Sequence, residues 1–397
     1  MAGETSGTAQ TQRQLKLLSS IAVAIFATEK LDILMSLFLL EVALTFQITV
    51  GAASQLATIS KVAAILIGLL ISALSVRFKH KSLLLAGSLA IVIGSLGCVL
   101  APDFLFMQIF YPLDGAGTVM VKAMALALIG QFLPINRRAK AVGLTVAASS
   151  LALVIGSPLA GFAANFGGWR SSVALFMLPL SIAGLVFAFF GIPSKPNQKP
   201  AVNNSSYLGS FKQIFLNRSA SACLVGMTLF SALQAWGLFG ITFYRSNFSV
   251  SLDSATIILL VVTLFLAVGG ATGGRIVNKL GRKRTLVSTT ILRSILVAVL
   301  VFAPNLWIAL LIDLVFIWLG GIGFTASGSI GLEQVPNSRG TMMSLVTVVG
   351  ALGGALGVFV GGMVLDSFGF LVMAPVLAAF GVASALVFQF FTKESIS

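Results

Sequence analysis

Charge is what this chain lacks most: 9% of its 397 residues are charged, against 57% hydrophobic. A water-soluble fold of this length is excluded, because so few polar groups cannot cover its surface. Histidine occurs once, at His80 in a basic loop, and cysteine twice, at Cys98 and Cys223 inside apolar stretches. These residues build no zinc site, haem site or cysteine nucleophile, so the sequence predicts no metal, no cofactor and no catalytic residues. The cysteines read as small packing groups rather than a redox pair. A phosphate-binding glycine loop is also missing, and the segments between apolar runs are too short for a nucleotide domain, which excludes a pump driven by ATP. Met1 to Gln14 is polar without the basic-then-apolar order of a signal peptide and reads as a short cytoplasmic tail.

What the chain has instead is apolar runs of membrane length. A hydrocarbon core of about 30 Å needs about 20 helical residues to span it. Six such runs fall near 17–44, 53–75, 82–101, 104–130, 139–164 and 171–190, and six more near 219–244, 255–273, 285–303, 306–330, 341–364 and 370–391. Barrel strands would be about half as long and alternate in polarity, so these are helices. The expected fold is an all-α membrane protein with twelve transmembrane helices.

The net charge of +14 invites a nucleic-acid partner, but its distribution excludes one. Arg13 and Lys16, then Arg77, Lys79 and Lys81, then Arg137, Arg138 and Lys140 fall in alternate gaps between runs. Lys195, Lys199, Lys212 and Arg218 continue the pattern, followed by Arg275, Lys279, Arg282, Lys283 and Arg284, and by Arg339 and Lys393. The opposite gaps hold little beyond Arg170 and Arg245. By the positive-inside rule both termini and the long central loop are cytoplasmic, as an even number of spans requires. The expected location is the plasma (inner) membrane, with lipid as the main partner.

Two halves share one plan. The loop Arg77-Phe-Lys-His-Lys81 matches Lys279-Leu-Gly-Arg-Lys283 at an offset of 202 (279 − 77), and Pro134-Ile-Asn-Arg137 matches Pro336-Asn-Ser-Arg339 at the same offset. Gly156, Ala160, Gly161 and Asn165 match Gly357, Gly361, Gly362 and Asp366 with a one-residue slip. A six-span unit repeated in parallel orientation follows. We expect a first bundle at 1–192, a linker at 193–217 with a short amphipathic helix at Phe211 to Phe215, and a second bundle at 218–397.

On these residues the chain resembles the major facilitator superfamily. The loop Gly274-Arg-Ile-Val-Asn-Lys-Leu-Gly-Arg-Lys283 is similar to that family's G-x-x-x-D-R-x-G-R-K signature, with Asn278 at the Asp position; the first-half copy keeps mainly Arg77 and Lys81. The resemblance implies a cytoplasmic gate at Arg77, Lys81, Gly274, Asn278, Gly281, Arg282 and Lys283. In the fifth span, Ala152-Leu-Val-Ile-Gly-Ser-Pro-Leu-Ala-Gly161 resembles the G-x-x-x-G-P-x-x-G-G pattern of proton-driven exporters, with Gly156, Pro158 and Gly161 as packing or hinge positions. Tyr111-Pro-Leu-Asp-Gly-Ala-Gly117 stands where the family has R-x-x-Q-G-x-G.

An ionisable group in mid-membrane costs about 2.5–3.5 kcal/mol, so each one needs a reason. The first half has Glu29, Lys30, Asp32, Glu41, Lys61, Asp114 and Lys122; the second has Arg293 and Asp313. At 100° per residue Glu29 and Asp32 share a helix face, as do Asp114 and Lys122. If the resemblance holds, spans one, four, seven and ten line a central cavity, and Glu29, Asp32, Lys61, Tyr111, Asp114, Lys122, Gln234, Trp236, Asp313 and Trp318 are its candidates. The plainer alternative is that the charges only tie helices together, through Lys122 with Asp114, Lys61 with Glu29, and Arg293 with Asp313.

Burial raises a carboxylate's pKa and a nearby amine lowers it again, so a small rearrangement carries such a group across neutrality. Asp32 or Asp114, helped by Glu29, is therefore the expected proton site. The favoured reading is a monomeric secondary active transporter of small organic molecules, coupled to protons, working by alternating access and exporting its substrate. Proton-coupled uptake of an organic anion at Lys61 and Lys122 is the alternative. A non-transporting membrane sensor is the reading from a different class.

Overall fold

The computed structural model describes residues 15–193, 212–335 and 339–393. Arg13, Lys195, Lys199, Phe211 and Pro336 lie outside them. Twelve helical spans follow one another among the described residues. Span one is 15–26 with Lys30–Phe46, span two Val50–Arg77, span three His80–Leu100, span four Phe104–Phe132, span five Ile135–Ala164, and span six Gly168–Gly191 with a π-helical turn at Val173–Met177. A short helix at 212–216 precedes span seven, which is Arg218–Leu233 with Trp236–Phe248. Spans eight to twelve are Leu252–Leu280, Arg282–Leu300, Leu306–Glu333, Arg339–Phe368 and Phe370–Phe391.

Ten helices among the described residues are long and apolar enough to cross a membrane. Span one misses the criterion because it is interrupted at Ala27–Glu29, and span nine because basic residues fill its first turn and Arg293 its middle. Large apolar side chains such as Leu105, Ile109, Phe190, Trp307, Leu311 and Phe390 are exposed, as a lipid-facing surface requires.

The repeat is geometric as well as textual. Gln47 and Ser249, at the sequence offset, both hold φ 54°, a left-handed turn uncommon for residues with a side chain. Asp103 caps span four by accepting from the Phe106 amide (2.7 Å), and Asn305 caps span ten from Ile308 (3.0 Å), again at that offset. Gly168 and Gly369, one residue short of it, have φ 75° and 73° at the turns into spans six and twelve, where only glycine is unstrained. Equivalent local chemistry therefore starts and stops equivalent helices.

By its internal contacts the chain forms two compact units. One holds the described residues up to Leu34 and from Ile59 to 193; the other holds Met35–Thr58 and the described residues from 212 onward. In the first unit, Leu17, Ile21, Leu84, Ile91, Met124 and Leu128 join spans one, three and four in one apolar core. In the second, Leu224, Phe230, Leu286, Ile330, Leu345 and Phe388 join spans seven, nine, ten, eleven and twelve. Lipid is as apolar as these side chains, so close approach of small residues has to hold the helices together. A Cβ on Gly117 would strike the Gly87 carbonyl between spans four and three, and one on Gly321 would strike the Leu266 carbonyl between spans ten and eight.

Candidate functional site

Span one breaks where its charges begin. At Thr28 and Glu29 the amides tighten to three-residue spacing, Thr28 to the Ile25 carbonyl at 2.9 Å and Glu29 to Phe26 at 3.5 Å. Span four supports the break, with Thr118 Oγ1 donating to the Thr28 carbonyl at 3.4 Å. Glu29 is buried, and its Oε1 accepts from Lys122 Nζ and Ser149 Oγ, both at 2.7 Å. Lys30 is also buried; its Nζ lies 2.9 Å from Asp114 Oδ1, with Ser95 Oγ and the Ile91 carbonyl of span three as its other acceptors.

These pairings differ from those of the plainer alternative, Lys122 with Asp114 or Lys61 with Glu29. Asp114 and Lys122 do share a face, but two helical turns separate them by about 12 Å along the axis, so each meets a different partner. Glu29 and Asp32 part as well: the break resets the helical phase, leaving Glu29 buried and Asp32 exposed in the first turn of Lys30–Phe46. Lys122 keeps 43% of its side chain exposed. Lys61 is half-buried, and Tyr111 is buried.

Span seven, the first helix of the second half, is interrupted in the same way. At Gln234 and Ala235 the amides again bond three residues back, both at 3.1 Å. Side chains flanking this break are anchored on spans nine and ten. Gln234 Oε1 accepts from Arg293 Nη2 at 2.6 Å, and Trp236 Nε1 donates to Asp313 Oδ1 at 3.0 Å. Arg293 Nε also donates to the Phe316 carbonyl (3.0 Å), and the guanidinium lies over the Phe316 ring, 4.2 Å from its centroid.

The expected Arg293–Asp313 ion pair is therefore absent: neutral groups engage both charges first. Arg293 is wholly buried. A cavity of about 20 Å³, enough for one water, lies beside Asp313 and is lined by Trp236, Gly240, Tyr244, Leu259 and Val262. The Tyr244 hydroxyl lies within hydrogen-bonding reach of the Asp313 carboxylate. Trp318 is half-buried, and its carbonyl faces Gly269 of span eight.

The basic loops also end helices. Lys81 Nζ donates to the Phe189 carbonyl and Lys283 Nζ to the Thr392 carbonyl, both at 2.8 Å, so repeat-related lysines sit on the C-termini of spans six and twelve. Gly281 turns between spans eight and nine at φ 88°, and Arg282 pairs with Glu333. Arg77 and Asn278 are exposed, and Gly274 has open space around it. In span five, Gly156 faces Ile33 of span one, and the helix runs through Pro158 without a break. Among the described residues no cluster of ligating side chains can hold a metal ion.

Sequence reasoning missed Lys30 as the partner of Asp114, and with it Ser95, Ser149 and Tyr244. Spacing within one helix carries no signal for contacts 61 to 120 residues apart.

The model for the Major Facilitator Superfamily matches residues 18–244 and 224–395, and the chain belongs to that superfamily. It is a multi-pass membrane transporter of the secondary type and not an enzyme. The chain is 25% identical over 299 residues to the uncharacterized MFS-type transporter YceJ of Bacillus subtilis (strain 168), covering 74% of this chain and 75% of that one. It is 23% identical over 389 residues to a probable sugar efflux transporter of Pasteurella multocida (strain Pm70), covering 95% and 91%. It is also 25% identical over 360 residues to the transcription regulatory protein OpdE of Pseudomonas aeruginosa, covering 88% and 87%. Its fold matches the crystal structure of a D-xylose-proton symporter with TM-score 0.77 at 16% identity, over 96% of this chain and 98% of that one. The crystal structure of a mutant of the nucleoside transporter NupG gives 0.78 at 16%, over 96% and 99%.

Proposed function

We propose that this protein is a proton-coupled exporter of small organic molecules that works by alternating access. The observation that carries this reading is the Lys30–Asp114 pair, sealed at the break of span one beside the more accessible Glu29–Lys122 pair. A buried ion pair holds helices no better than apolar packing does, so retaining Lys30–Asp114 in an apolar bundle points to a use for the charge. Asp114 takes the proton and Lys30 is the amine that competes with it, while Glu29 and the exposed Asp32 pass protons toward it. Within the first unit Lys61, Tyr111 and Lys122 are the proposed substrate contacts, and within the second Gln234, Trp236, Asp313 and Trp318. Export is favoured by the exporter-like pattern around Gly156, Pro158 and Gly161 and by a relative described as a sugar efflux transporter.

The alternation of basic loops supports an inner-membrane location with both termini cytoplasmic. The basic loops then form the cytoplasmic gate, and the working unit is a monomer. The test is flux in proteoliposomes under an imposed pH gradient. Asp114→Asn should abolish accumulation driven by the gradient and leave downhill exchange; full coupling in Asp114→Asn, Asp32→Asn and Glu29→Gln would refute the assignment.

A second reading, uptake of an organic anion, is favoured by the exposure of Lys122. Lys122→Gln would then weaken carboxylate substrates selectively. The relative described as a transcription regulatory protein keeps the sensor reading in view; gradient-driven flux abolished by an uncoupler separates transport from it.

A further inference from the structure

The hairpin Met35–Thr58, the end of span one and the start of span two, groups by its contacts with the second unit. Polar links fasten it there. Asp366, near the end of span eleven, accepts at Oδ1 from the Gly51 amide (2.8 Å) and at Oδ2 from the Thr49 hydroxyl (2.5 Å). Both donors sit at the start of the helix that begins at Val50, so a carboxylate from 315 residues away occupies the positive end of span two. Span two keeps its own cap as well, Thr49 Oγ1 accepting from the Ala52 amide at 3.1 Å, just as Ser251 caps span eight at the equivalent position; the distant carboxylate is what span two has in addition. Glu41 pairs with Arg245 of span seven, and Gln55 Nε2 reaches the Phe359 carbonyl at 3.5 Å. Between these links the backbones touch: a Cβ on Gly51 would strike the Gly362 carbonyl, and one on Gly362 would strike Ser54 Oγ.

At its other end the hairpin continues into a bend. Span one passes from one unit to the other between Leu34 and Met35, and Phe38 leaves the helical region at φ −114°, ψ 15°. A segment fastened by a few side-chain bonds and joined through a kinked helix is built as a strap that can let go without unfolding.

We propose that Asp366 is the latch of this strap, holding it on spans seven and eleven in one conformation and releasing it when that face opens, with Glu41–Arg245 as the second fastening. The proposal uses the transport reading only for what the opening serves. Ser54, fully buried against Gly362, reports the latch. In a background with Cys98→Ala and Cys223→Ala, Ser54→Cys is labelled with a membrane-impermeant thiol reagent in right-side-out vesicles.

Asp366→Ala should raise the labelling rate at least tenfold. Asp366→Asn, which keeps an acceptor but loses the charge, should raise it less. Glu41→Ala should raise it severalfold, and the exchange Glu41→Arg with Arg245→Glu should restore it. If Asp366→Ala does not fold, as judged by size exclusion, Asp366→Asn combined with Thr49→Val takes its place. A labelling rate within twofold of the parent in a folded variant overturns the latch. Faster labelling beside a parent protein that shows no gradient-driven flux keeps the latch and removes the proton-coupled export reading.

Discussion

Lys30 and Asp114 face each other at 2.9 Å with almost nothing of either side chain exposed, joining the residue just after the break in span one to the middle of span four. Removing one partner leaves a charge stranded in an apolar interior, whereas removing both leaves a space that apolar groups can fill. Lys30→Met should therefore cost about 3–5 kcal/mol, and Lys30→Met with Asp114→Leu should recover most of it. Thermal unfolding in one detergent at one lipid ratio compares the two; a double variant no more stable than the single would show that the pair is not an isolated unit.

Trp236 and Trp307 make opposite predictions for the same change. Trp236 is fully buried and its indole N–H serves Asp313, while Trp307 is exposed. Trp236→Phe should cost about 1–3 kcal/mol through the unsatisfied carboxylate, and Trp307→Phe should stay within about 0.5 kcal/mol. Equal shifts in unfolding midpoint would remove the hydrogen bond from the account of span seven's break.

Glycines divide by what stands opposite them. Gly321→Ala drives a methyl into the backbone of span eight and should destabilise by about 1–3 kcal/mol. Gly143 lies in span five with open space around its Cβ position, so Gly143→Ala should be neutral or stabilise by up to about 1 kcal/mol. Denaturation of both variants beside the parent checks the contrast.

The capping lysines should act locally. Lys283→Met should speed hydrogen exchange in the last turn of span twelve and leave span six unchanged, and Lys81→Met should do the reverse. A change spread over both helices from either substitution would mean that the loops act through something other than the carbonyls they cap.

The solvent, the helices and the repeat are all legible in the order of residues alone. Runs of apolar residues about 20 long stand out because a bilayer imposes a fixed thickness, and the offset shared by the basic loops stands out because equivalent loops end equivalent helices. Which charge meets which is a matter of packing in three dimensions. Helical arithmetic assumes an unbroken helix, and spans one and seven break beside their functional candidates, so Glu29 and Asp32 part while Lys30 turns inward to Asp114. Likewise nothing near Arg293 or Asp313 in the chain announces Gln234 and Trp236, and nothing near Gly51 announces Asp366. Such partners lie tens to hundreds of residues away, and only the folded arrangement chooses among the acceptors a buried donor can reach.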